Sequence, residues 1–128
     1  MISSPSRHVV ARHLLTGVRE ALLDTRVVAV VGPRQAGKST LVQQLVAERP
    51  DATYASLDAP EIRALAGDDP AGFVAGRPGL FAIDEVQRVP DLMLAIKAGV
   101  DRDQRPGRFL ITGSSQLSAN RAVSETLA

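Results

Sequence analysis

The sequence has no cysteine, no tryptophan, one tyrosine, three phenylalanines and two lysines in 128 residues. Without cysteine it can form neither a disulfide nor a thiolate metal centre, a usage that suits the cytoplasm. So few aromatic rings leave little for nucleic-acid bases to stack on. A net charge of +1 offers no basic footprint for a phosphate backbone, so no nucleic-acid partner is expected. No apolar run approaches the ~18 residues of a membrane span, and the first residues carry no signal-peptide core. Repeats and low-complexity tracts are also missing. Apolar residues make up 45% and charged residues 23%, the balance of a single soluble domain large enough for a real core.

Against these absences one stretch stands out, Val27 to Thr40, reading VVAVVGPRQAGKST. Val27 to Val31 form a continuous apolar run, as expected of a strand buried on both faces. After Lys38, Leu41, Val42, Leu45 and Val46 recur at helical spacing. Between them Gly32, Gly37, Lys38 and Ser39 are spaced G-x-x-x-x-G-K-S, the phosphate-binding loop, or Walker A pattern. A polyphosphate needs a concave row of backbone N–H donors, and glycine lets the chain wrap closely. A helix opening near Gly37 adds free amides and the positive end of its dipole. The expected donors are Ala36, Gly37, Lys38 and Ser39; Pro33 removes one amide only at the loop's start. Lys38 can reach the terminal phosphates and Ser39 can ligate Mg²⁺. Thirteen of the fifteen basic residues are arginine, so a lysine here is selective usage, and a guanidinium fork does not replace a compact ammonium.

Residues 1–24 read as a helical lead-in, with Val10, Leu14, Leu15, Val18 and Leu22 on one face. His8 and His13 share no face and read as surface residues. Residues 25–128 read as the core domain. Thr53 to Leu57 is a second strand, and Asp58 and Glu61 are spaced as a capping box for a helix through Ala66. Asp68 and Asp69 read as a solvated cap before Pro70, which opens one further helical turn to Val74.

Leu80 to Ile83 is a third strand ending in Asp84 and Glu85, a Walker B pattern. Carboxylates at the end of a buried strand are costly unless they have partners or work there. Phosphoryl hydrolysis supplies that work: Asp84 would hold Mg²⁺ and Glu85 would orient and deprotonate the attacking water. A helix from Pro90 follows, with Lys97 read as a surface lysine. Phe109 to Ile111 form a fourth strand. If it lies between the first and third, Thr112 or Ser114 at its tip would stand between phosphate loop and carboxylates. The spacing leaves both residues open.

GPRQAGKST, YASLD, FAIDEVQRVPDL, AIKAGVD and RFLITGSS together resemble AAA-type ATPases of bacteria and archaea, in the group carrying a C-terminal domain of unknown function. The resemblance runs from about Val27 to Ala128. It implies a Mg-ATP-hydrolysing module, with Lys38 and Glu85 catalytic and Ser39 and Asp84 at the metal. Gly32, Gln35, Ala36, Gly37, Lys38, Ser39, Thr40, Thr112 and Ser114 would meet the nucleotide. Arg34, Gln87 and Arg88 also match the pattern, without a derivable role. In such proteins the segment resembling SETLA continues into Gly-Arg, a fifth strand and a second domain, so truncation is expected here. Arg121 is the nearest substitute for the arginine that a neighbouring subunit supplies in such sites, and slow turnover by the isolated chain follows from its loss.

The expected fold is α/β: a three-layer sandwich with a parallel sheet, of the P-loop NTPase type, lacking the fifth strand and with the phosphate-loop strand at one edge. That edge invites a second copy or another protein. The expected function is Mg-dependent ATP hydrolysis. Two alternatives are a nucleotide-holding regulatory module with little turnover and a small-molecule kinase. The Asp84-Glu85 pair and the Thr112-Gly113-Ser114 tip of the fourth strand argue against the kinase, and no acceptor pocket is evident.

Overall fold

The structure, a computed structural model, describes residues 13–32 and 37–113. A first helix, α1, covers residues 13–21, and β1 (Val27–Val31) follows it. Next come α2 (Lys38–Ala47), β2 (Thr53–Ser56), α3 (Pro60–Asp68) and α4 (Pro70–Val74). β3 (Phe81–Asp84), a 3₁₀ turn (Val86–Arg88), α5 (Asp91–Arg102) and β4 (Phe109–Gly113) complete the described chain. The four strands form one parallel sheet in the order β1-β4-β3-β2. β4 is thus inserted between β1 and β3, the condition set by the sequence, and β1 lies at an edge among the described strands, as expected.

Alternation along the strands feeds two cores, because successive side chains point to opposite faces. Val27, Phe81, Ile83, Phe109 and Ile111 pack with Leu57, Val74, Leu92, Ile96 and Val100, so α3, α4 and α5 cover that face. Val28, Val30, Ala82 and Leu110 pack with Val18 and Leu22 at α1 and with Leu41, Val42 and Leu45 of α2. The result is the three-layer arrangement anticipated for continuous apolar strands. All three phenylalanines lie on the first face, Phe73 against Phe81 at 5.5 Å and Phe81 against Phe109 at 6.3 Å between ring centroids. Arg19 of α1 donates to both carboxylate oxygens of Glu48 just past α2, clasping the helices of the second face.

Two local expectations change. Asp58 and Glu61 do not form a capping box: α3 starts at Pro60, with Ala59 as its cap residue and no side-chain cap bond. Proline favours the first helical position, which moves the start beyond Asp58's reach. Asp58 instead accepts from Arg88 Nε at 2.6 Å. The helix also runs through Gly67 to Asp68 rather than stopping at Ala66. Asp69 does cap α4, its side chain accepting from the Gly72 amide at 3.0 Å. Gly107 turns the chain into β4 at φ 70, a left-handed conformation that suits glycine. His13 is exposed on α1, and His8 lies outside the described residues.

Leu110 lies fully buried in β4, flanked by strands on both sides. Leu110→Ala should therefore destabilise the fold by about 2–5 kcal/mol through lost burial and an unfilled cavity. Leu94→Ala, at a position 68% exposed on α5, should stay within about 0.5 kcal/mol. Urea midpoints of the two variants check the contrast.

Candidate functional site

Register brings the polar residues together. Ile83 pairs with Ile111, so the next residues along the parallel strands, Asp84 and Thr112, emerge side by side. They follow Ala82 and Leu110 by two positions and share the sheet face that α2 covers. Asp84 is 1% exposed and Thr112 0%. A carboxylate so deeply buried needs donors, and two hydroxyls supply them. Thr112 Oγ1 donates to Asp84 Oδ1, and the Tyr54 hydroxyl, from edge strand β2, donates to Asp84 Oδ2 at 2.6 Å. Thr112 Oγ1 in turn accepts from the Glu85 amide at 3.0 Å. One threonine therefore fixes both members of the acidic pair. Ser114, the other candidate at this tip, lies outside the described residues.

Glu85 adopts φ 59, ψ 48, the only positive φ at a non-glycine position among the described residues. This left-handed turn breaks the strand at Asp84 and leads into the 3₁₀ turn. Glu85 is 6% exposed, and its Oε1 accepts from Gln87 Nε2 at 2.6 Å.

On the other side of β4, α2 opens directly after Gly37, whose φ of 78 is again left-handed. No acidic residue occupies the first turn of α2, so nothing there opposes an anion at the positive end of the helix. Lys38 is 3% exposed, and its ammonium donates to the Gly32 carbonyl and, at 3.1 Å, to the Gly113 carbonyl. The Gly32 amide also donates to the Gly113 carbonyl at 3.3 Å. The lysine thereby bridges the ends of β1 and β4. Ser39 and Thr40 follow it, both exposed. Arg34, Gln35, Ala36 and Arg121 lie outside the described residues.

Tyr54 is the residue that sequence reasoning passed over. It falls in the YASLD segment, but only the strand order shows that its ring reaches Asp84. Burial, and then the bond to the Asp84 carboxylate, raise its phenol above the ordinary value near 10. The protonated, donating form is the one favoured by folding. Its contribution to stability is therefore whole below about pH 10 and is lost as pH rises through the folded value. Tyr54 is the chain's only tyrosine, so the tyrosinate absorbance of the folded protein should titrate as one group above that ordinary value. In Asp84→Ala the midpoint should fall part of the way back, since burial remains.

The chain matches a family model described as an AAA domain over residues 24–128. It is also similar to an uncharacterized protein of Mycobacterium bovis and to one of Mycobacterium tuberculosis. Each is 40% identical over 111 residues, an alignment covering 87% of this chain and 25% of the relative. The chain thus spans about a quarter of the length of the curated relatives it matches. With the greater part of its length matched, the chain belongs to the AAA domain family.

Proposed function

We propose that the chain binds ATP with Mg²⁺ at the carboxyl ends of β1, β3 and β4 and hydrolyses it. The observation that carries this reading is the buried Lys38 ammonium at the mouth of α2, one strand away from the Asp84-Glu85 pair. The residues fit a Mg-nucleotide. The Lys38 ammonium, bonded to the Gly32 and Gly113 carbonyls, would stand within reach of the terminal phosphate oxygens. A left-handed Gly37 before a ten-residue helix gives the close approach that phosphates need. Bound Mg²⁺ would neutralise charge on the phosphate oxygens.

Lys38 would exchange its carbonyl partners for terminal phosphate oxygens, and Gly32, Gln35, Ala36, Gly37 and Thr40 would line the phosphates. Ser39 and Asp84 would hold the metal, with Tyr54 and Thr112 keeping the Asp84 carboxylate in one orientation. Glu85 would accept a proton from the attacking water. The outer edge of β1, paired only with β4 among the described strands, would take a second copy or another protein chain. A regulatory module that holds nucleotide with little turnover is the second reading. Glu85 favours it in one respect, being almost wholly buried.

Lys38→Ala should weaken ATP binding by about 1.5–3 kcal/mol, the worth of a charge-assisted contact, and weaken ADP less. Calorimetric titration with each nucleotide checks this, and equal ATP affinity in parent and variant would remove the loop as the binding site. Glu85→Gln should keep Mg-ATP binding but lose about 10²–10⁴ in hydrolysis, whereas Asp84→Ala should change the Mg²⁺ dependence of binding itself. Phosphate release measured beside calorimetry separates the two. Tight binding by the parent with no phosphate release would favour the holding module.

A further inference from the structure

Gln87 lies in the 3₁₀ turn immediately after the acidic pair. An ionised carboxylate only accepts hydrogen bonds, so the amide nitrogen of Gln87 must face it, and Nε2 stands 2.6 Å from Glu85 Oε1. That orientation turns Gln87 Oε1 into the protein, where it is buried with no hydrogen-bond partner among the described residues. A buried unmatched acceptor is unfavourable. Gln87 as a whole is only half-buried, unlike its neighbour Val86 in the core, so the unmatched group is confined to Oε1 while Nε2 has a partner. The glutamine is explained by its other end.

Among the described residues, Glu85 is otherwise fixed only through its backbone. Its amide donates to Thr112 Oγ1 at 3.0 Å, and its carbonyl accepts from the Arg88 amide at 3.1 Å. Those bonds set the left-handed turn but leave the side-chain torsions unset. The Gln87 amide occupies Oε1, which would leave Oε2 for a water. The turn that carries Gln87 is itself tied down, since Arg88 Nε donates to Asp58 on the β2–α3 connection at 2.6 Å.

We propose that Gln87 is a positioning residue for the hydrolytic step, holding the Glu85 carboxylate in the orientation that receives a proton from water. The proposal rests on the reading of Glu85 as the base. Gln87→Met keeps the approximate volume, removes the donor and also removes the orphaned acceptor. It should lower kcat about 10- to 100-fold, the scale of a misaligned catalytic group, with KM and calorimetric nucleotide affinity within about twofold of the parent. Its Tm should stay close to the parent's, because the donor lost to Glu85 Oε1 is offset by removal of the unmatched Gln87 Oε1. Should Gln87→Met fail to fold, Gln87→Asn keeps the amide, draws it back by one methylene and should lower kcat with the same split.

The contact itself is read without nucleotide. The side-chain amide protons of Gln87 should exchange slowly in nuclear magnetic resonance spectra and lose that protection in Glu85→Ala. Parent-like kcat in Gln87→Met overturns the proposal while leaving ATP hydrolysis intact. A lowered Tm with kcat, KM and affinity all impaired assigns Gln87 a structural role and overturns it too. If the parent binds nucleotide but releases no phosphate, the hydrolytic reading fails and the catalytic role of Gln87 falls with it. The amide signal then reports only whether the pair is held.

Discussion

A carboxylate with almost no exposure must find hydrogen-bond donors in place of water, and Asp84 is the place where this chain meets that demand. Its two oxygens take hydroxyls from two different strands, Tyr54 from β2 and Thr112 from β4. Neither partner is near it in sequence. The pairing therefore requires the strand order β1-β4-β3-β2, with β3 between the two donors. Sheet topology and acidic site are one constraint: a different strand order would leave the carboxylate without its donors.

The opposite charge is managed differently. Lys38 is buried almost as deeply, and its ammonium donates to the Gly32 and Gly113 carbonyls at the ends of two strands. The same bonds tie the end of β1 to β4.

Much of this was legible in the sequence, because strong periodicity and strand-end motifs are local properties. The valine run of β1, the helical spacing after Lys38 and the apolar run before Asp84 each carried their element. The position of β4 could be stated only as a condition, and the sequence did not choose between Thr112 and Ser114. What escaped was long-range. Nothing in YASLD says that Tyr54 meets Asp84, since that contact exists only once β2 has paired with β3. The Asp58 capping box failed for a local reason, Pro60 claiming the first helical position. Asp58 was then available to Arg88, thirty residues away in sequence.

The backbone at Glu85 has a consequence for how the chain would answer to selection or design. A left-handed conformation costs an ordinary residue about 1 kcal/mol, and glycine is spared that cost. A search for more stable variants would therefore arrive early at Glu85→Gly, and would delete the carboxylate as it did so. On the proposed reading, thermostability and hydrolysis would compete at this one position.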